Sequence, residues 1–125
     1  MPLTIISLRG TRPTPWGENN LTAVWRNALA ERTREVHPGG QIQINEGTTF
    51  DVEIIFLFLT RNAGGADLDN LAKPVLDTLF LSNNVQVEPA GVLFNVDDNR
   101  VSKLLLKKIA VQRDEDEGTE IIISW

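Results

Sequence analysis

The sequence predicts an α+β domain, and three stretches carry that prediction. Residues 49–60 alternate Phe50, Val52, Ile54, Phe56 and Phe58 with Asp51, Glu53, Ile55, Leu57 and Leu59, the period of a strand. Leu68, Leu71, Ala72, Val75, Leu76 and Leu79 recur at helical spacing and fill one face of a wheel. A second helical pattern runs over about 21–35, with Leu21, Val24, Trp25, Ala28 and Leu29 on one side. At 125 residues the chain, 1–125, is one domain by length.

In chain order, residues 3–8 read as a short strand of aliphatic and β-branched residues. Gly10, Pro13 and Pro15 make the next segment a rigid loop. Asn19-Asn20 offers an N-cap for the first helix, which Arg26, Arg32 and Arg34 decorate. His37-Pro38-Gly39-Gly40 ends it, because proline cannot continue a helix and glycine supplies the turn. Residues 41–44 are a candidate brief strand. The half of 49–60 that is apolar on both faces places this strand centrally in its sheet. It feeds the loop 61–65, with Gly64-Gly65, and then the second helix. Pro74 either sits in the first turn of a late-starting helix or kinks a longer one near Asn70. Ser82-Asn83-Asn84 is a stop signal. Residues 85–94 read as an irregular loop or a hairpin turned at Pro89-Ala90-Gly91. Asn95 to Arg100 form a polar turn with two adjacent acids. Residues 101–111 and 121–125 look like a closing hairpin across an acidic turn.

Composition narrows the function classes. Hydrophobic residues make up 42% of the chain, enough for a sizeable core. There is no cysteine, which removes disulfides and thiolate metal sites and suits the cytoplasm. No stretch reads as a signal peptide, and the longest apolar run, 54–59, is far short of a membrane span. A net charge of −5 argues by itself against a nucleic-acid partner. The charge is segregated, however. Asp114-Glu115-Asp116-Glu117 concentrates acid in one turn, whereas 100–113 holds five basic residues and no acid.

The chemistry must come from carboxylates. The single histidine, His37, stands at a helix end beside Pro and Gly, and no P-loop or nucleophile elbow is present. On the second helix Asn70, Lys73 and Asp77 fall opposite the apolar face. Asp67 and Asp69 point the same way only in extended chain, so a joint role needs Asp67 ahead of the helix. A calcium loop from Asp67 fails, since Ala72 and Thr78 stand where glycine and glutamate are required. Hard oxygen donors with open positions suit Mg²⁺ or Mn²⁺, and Lys73 could stabilise charge on a phosphoryl transition state. The same residues also have a plain structural reading. Asp67 and Asp69 can cap a helix and complement its dipole. Lys73 and Asp77 form an i,i+4 pair worth roughly 0.3 kcal/mol, and Asp97-Asp98 can be turn chemistry.

The run Asp67-Leu68-Asp69-Asn70-Leu71-Ala72-Lys73-Pro74-Val75-Leu76-Asp77, the later Asp97-Asp98-Asn99-Arg100-Val101 and the strand lysine Lys108 together resemble the RusA family of Holliday-junction resolvases. The likeness spans most of the chain, including the early strand, the Gly-Pro loop and the Trp-bearing helix. It implies a small mixed α/β fold, a mixed sheet with two main helices in an intertwined homodimer. It implies cutting of four-way DNA junctions in symmetrically related strands with Mg²⁺ or Mn²⁺. Asp67, Asp69 and Asp98 would hold the ion, and Lys73 would be the essential lysine. Asn70 and Asp77 would support the site, with Asp97 beside them. Lys103, Lys107 and Lys108, backed by Arg9 and Arg12, are candidate phosphate contacts. Alternation places Lys103 and Lys107 on one strand face and Lys108 on the other, and a solvated strand face is their plain reading. Residues 92–94 and 121–123 are apolar candidates for the dimer interface. Two rivals remain open. One is a catalytically lapsed member that binds a protein partner through its acidic surface. The other is a metal-assisted phosphohydrolase for small nucleotides.

Overall fold

The strongest strand pattern in the sequence becomes the middle of the sheet. The computed structural model describes residues 2–15, 19–60, 66–81 and 88–125, with the side chain of Asn19 excepted. The loop 61–65, the stop signal at 82–84 and residues 16–18 lie outside the described residues. Strands β1 (Leu3–Arg9), β2 (Phe50–Leu59), β3 (Val101–Val111) and β4 (Gly118–Ser124) form one mixed sheet in the order β1-β4-β2-β3. Helices α1 (Asn19–Val36) and α2 (Leu68–Leu79) complete the α+β fold. β2 is central, antiparallel to β4 on one side and parallel to β3 on the other.

The closing hairpin is not formed. β3 and β4 are sequence neighbours, yet β4 lies between β1 and β2 while β3 takes the edge beyond β2. Side chains account for the exchange. β4 buries Ile121 and Ile123 on one face and half-buries Ile122 on the other, which suits an interior strand. β3 carries Lys103 and Lys107 and leaves much of both faces exposed, which suits an edge. Ile6, Ile121, Ile54 and Leu106 stand side by side across all four strands. Ile121 and Ile123, with Leu93 and Phe94, are therefore core residues of this chain and unavailable to an interface.

Both helices cover the face that carries Ile6, Val52, Ile54, Phe56, Ile121 and Ile123. The buried stripe of α1 is Thr22, Trp25, Arg26, Leu29, Ala30 and Thr33, at helical spacing throughout. Leu21 and Val24, read as part of that face, are 63% and 59% exposed. Arg26, read as surface decoration, is 2% exposed. Hydrogen bonds explain why polar residues replace aliphatic ones in the stripe. Trp25 Nε1 donates to Thr119 Oγ1 at 3.1 Å, Thr33 Oγ1 donates to the Leu29 carbonyl at 2.8 Å, and Arg26 Nε donates to Thr78 Oγ1 at 3.0 Å. The helix begins at Asn19, so Asn20 is inside it and not its cap. It ends ahead of His37 as the Pro-Gly signal requires, with Gly40 at φ +89°. His37 Nε2 lies 2.5 Å from Thr4 Oγ1, which ties the helix end to β1.

Residues 41–44 contribute a single bridge, Ile42 to Phe94, and no strand. Among the described residues of 85–94 no hairpin forms. Beneath this segment Phe50, Phe80, Phe94 and Trp125 make an aromatic cluster, with ring centroids 4.6 to 6.0 Å apart. Among the described residues no helix is long and apolar enough to cross a membrane.

Candidate metal and phosphate site

The site is built on α2 and on the segment that returns to its C-terminal end. Asp67 occupies the N-cap position with extended backbone, φ −78° and ψ 143°, and its side chain makes no capping hydrogen bond. The plain capping reading of Asp67 therefore has no bond to support it. Asp69 Oδ1 accepts from the Asn70 amide at 3.0 Å. Asp67, Asp69, Asn70 and Lys73 are all exposed. Pro74 lies inside the helix, not in its first turn, and removes the amide that would have bonded the Asn70 carbonyl.

Asp69, Lys73 and Asp77 follow at i,i+4 spacing, each step rising about 6 Å along the axis. The row runs from solvent into the interior. Lys73 is half-exposed, but Asp77 is 1% exposed and not on the open side that a helical wheel alone predicts. Arg26 of α1 and the returning segment lie against that part of the wheel. Lys73 Nζ is 4.0 Å from Asp77 Oδ2, and that buried oxygen has no hydrogen-bond partner among the described residues.

The end of α2 explains how Asp97 and Asp98 arrive. A helix leaves its last carbonyls unpaired, and here the returning chain supplies their donors. The Val92 amide bonds the Thr78 carbonyl at 2.9 Å, and the Leu93 and Phe94 amides bond that of Leu79 at 3.1 and 3.0 Å. Gly91 bonds the Phe80 carbonyl at φ +61°, where a Cβ would collide with the Leu81 side chain. Leu81 then bonds to Val96 at 2.9 Å and receives the Asp98 amide at 3.3 Å. Asp97 caps the 3₁₀ turn Asp98–Arg100, its Oδ1 accepting from the Asn99 amide at 2.8 Å.

The resulting electrostatics are those of crowded carboxylates. Burial, a hydrogen bond to Asp97, and the charges of Asp97 and Asp77 push the Asp98 carboxyl up to about 6, against the pull of Lys73. Burial also raises Asp77, opposed by Lys73 and Arg26 and reinforced by Asp97. Burial lowers the Arg26 guanidinium, while Asp77 and Glu88 hold it up.

Asp98 is thus influenced by Asp97, Asp77 and Lys73, and Asp77 by Lys73, Arg26 and Asp97. Asp67, Asp69 and Asn70 stand one to three helical turns away, at the exposed start of α2. Among the described residues no three acidic or histidine side chains already form a metal-holding group. The basic candidates are dispersed. Arg9 pairs with Glu120 at 2.7 Å, Arg12 with Glu117 at 3.5 Å and Lys107 with Glu53 at 3.2 Å. In register, Lys103 sits opposite Asp51 and Lys107 opposite Ile55, on the sheet face away from the helices. Lys108 sits opposite Phe56, on the face that α2 covers.

Sequence reading missed Arg26. Its only signal was position, between Trp25 and Leu29 in the buried stripe.

The raised Asp98 carboxyl has a consequence for stability. A carboxyl whose folded pKa lies above its unfolded value near 3.8 stabilises the fold fully below that value, and the contribution is lost as pH rises through about 6. With divalent ions chelated, melting curves from about pH 4 to 7 should show wild type losing stability relative to Asp98→Asn. Parallel curves for the two proteins would contradict the crowding.

No protein-family model matches the chain, and no curated protein matches it.

Proposed function

We propose that this chain is a metal-dependent, structure-selective DNA endonuclease that cuts four-way junctions as a homodimer. The observation that carries the reading is the return of Asp97-Asp98 to the Lys73–Asp77 face of α2. It brings the later acidic pair to the Lys73–Asp77 end of the helix whose first turn carries Asp67 and Asp69.

Two features fit a divalent cation. Asp77 Oδ2 is a buried carboxylate oxygen without a hydrogen-bond donor among the described residues, and Asp98 is crowded by the negative charges of Asp97 and Asp77, a repulsion that a bound cation would relieve. The donors are hard oxygens, which suit Mg²⁺ or Mn²⁺. On this reading Asp67, Asp69 and Asp98 would hold the ion, and Asn70, Asp77 and Asp97 would support them. The ion would supply charge neutralisation and an activated water at the scissile phosphate.

The chain's own residues divide the remaining work. Asp98 must give up its proton to act as a ligand. The Lys73 ammonium, half-exposed between Asp69 and Asp77, is placed to stabilise charge on the phosphoryl oxygens or the leaving oxygen. Burial of Asp77 fixes one end of the row, so that Lys73 is held by an anchored partner. Lys108, on the helix-bearing face of β3, is the strand lysine best placed for a phosphate near α2. A homodimer draws support from edge strand β3, which exposes Leu104 on one face and Leu105 and Ile109 on the other.

One observation favours a second reading. Arg9, Arg12 and Lys107 are each paired with an acid of the same chain, which reduces the positive surface available to phosphate. A catalytically lapsed binding module is consistent with that. Metal-dependent cutting of a synthetic four-way junction separates the two: the endonuclease nicks it, and the lapsed module does not.

A further inference from the structure

We propose that Arg26 is a positioning residue that sets the carboxylate cluster by bracing α1 against both α2 and the returning segment. This rests on the endonuclease reading of the site. Arg26 belongs to α1, far in sequence from either acidic motif, and is almost wholly buried. Its Nε donates to Thr78 Oγ1 at 3.0 Å, and its Nη2 donates to the Pro89 carbonyl. Thr78 adjoins Asp77 on α2 and donates in turn to the Pro74 carbonyl at 2.7 Å. Pro89 opens the segment whose amides then zip onto Thr78, Leu79 and Phe80 and lead to Asp97 and Asp98.

One planar guanidinium therefore spans the two pieces of chain that carry the lower half of the site. It also sets a fixed positive charge beside Asp77 and Glu88. The fork matters more than the charge. A lysine ammonium would keep the charge beside Asp77, but it lacks the planar array that meets Thr78 and Pro89 from fixed directions. In these hydrogen bonds Arg26 meets none of the proposed ligands and acts one step behind them, through Thr78 and Pro89; loss of a ligand's direct partner typically weakens metal binding by about 10–100-fold, which is the upper bound for Arg26.

The test is Arg26→Lys, with Thr78→Val as a second variant that removes the hydroxyl and keeps the side-chain shape. Each is measured well below its own melting temperature. The first readout is Mn²⁺ affinity by calorimetry or by the free-ion resonance signal. The second is hydrogen exchange at the amides of Gly91, Val92, Leu93 and Phe94. The proposal expects Arg26→Lys to bind Mn²⁺ about tenfold more weakly, the low end of the range for a direct partner of a ligand, with faster exchange centred on those four amides and the β2–β4 amides still protected. Thr78→Val should shift both in the same direction by less.

Lower melting temperatures with wild-type Mn²⁺ affinity in the folded protein would reduce Arg26 to a structural residue and overturn the proposal. If wild type itself takes up no Mn²⁺, the metal reading of the site fails, and exchange alone decides the role of Arg26. Faster exchange confined to the returning segment would uphold the brace, and unchanged exchange would overturn it.

Discussion

Asp69→Asn should abolish junction cutting, a loss beyond the roughly 10–100-fold typical of removing a ligand's outer partner, and leave the fold in place. The two effects separate because of where Asp69 sits. It is exposed in the first turn of α2, and its one described side-chain bond is to the neighbouring Asn70 amide. Asparagine keeps the shape and an oxygen acceptor for that amide. The lost charge at the helix N-terminus costs about 0.3–1 kcal/mol, small beside a domain stability of about 5–15 kcal/mol. In its proposed role as a ligand to Mg²⁺, Asp69 would have no such cushion, since a neutral amide is a poorer partner for the ion than a carboxylate. Nicking rates on a four-way junction, with circular dichroism as the control on folding, read both effects. Cutting at the wild-type rate would remove Asp69 from the site.

Phe50→Ala should have the largest effect on stability, about 3–5 kcal/mol. Phe50 is fully buried, with its ring 5.2 Å from Phe80, 4.6 Å from Phe94 and 6.0 Å from Trp125. Deleting it opens a cavity and removes several edge and tilted ring contacts, each worth about 0.5–1.5 kcal/mol beyond burial. The loss touches the site as well. Phe80 caps α2, Phe94 lies on the returning segment, and Phe50 pairs in register with Val101 just beyond the Asp98–Arg100 turn. Urea unfolding measures the cost, and a change under about 1 kcal/mol would show that the cluster relaxes around the gap.

The parts of the fold legible in the sequence are those set by local periodicity. β2 and α2 announce themselves through runs of period 2 and 3.6, and the central place of β2 follows from its doubly apolar half. The extended backbone at Asp67 is the one a joint role with Asp69 would need, and it is also the ordinary backbone of an N-cap residue. What escaped was decided by distant partners. β4 sits between β1 and β2 because Ile121, Ile122 and Ile123 need neighbours on both sides, and no local rule says which strands supply them. Pairing by sequence adjacency put it beside β3 instead.

Burial of polar side chains was the second blind spot. Arg26, Thr22, Thr33 and Asp77 all lie inside the core stripes of their helices. A residue-type reading exchanged Arg26 for Leu21 and Val24 because hydrogen bonds across the fold are invisible in one segment. At the candidate site the acids and the lysine can be named from sequence, but their burial cannot. That Asp77 is buried while Asp69 remains in solvent depends on how α1 and residues 88–98 close over α2.

The most direct measurement is cleavage of a synthetic four-way junction with each strand end-labelled in turn, in Mg²⁺ or Mn²⁺ and again with the metal chelated. The account predicts paired nicks in symmetrically related strands that require the metal and spare a linear duplex of the same sequence. A junction that is bound and never nicked in either metal would contradict it and leave the chain as a binding module.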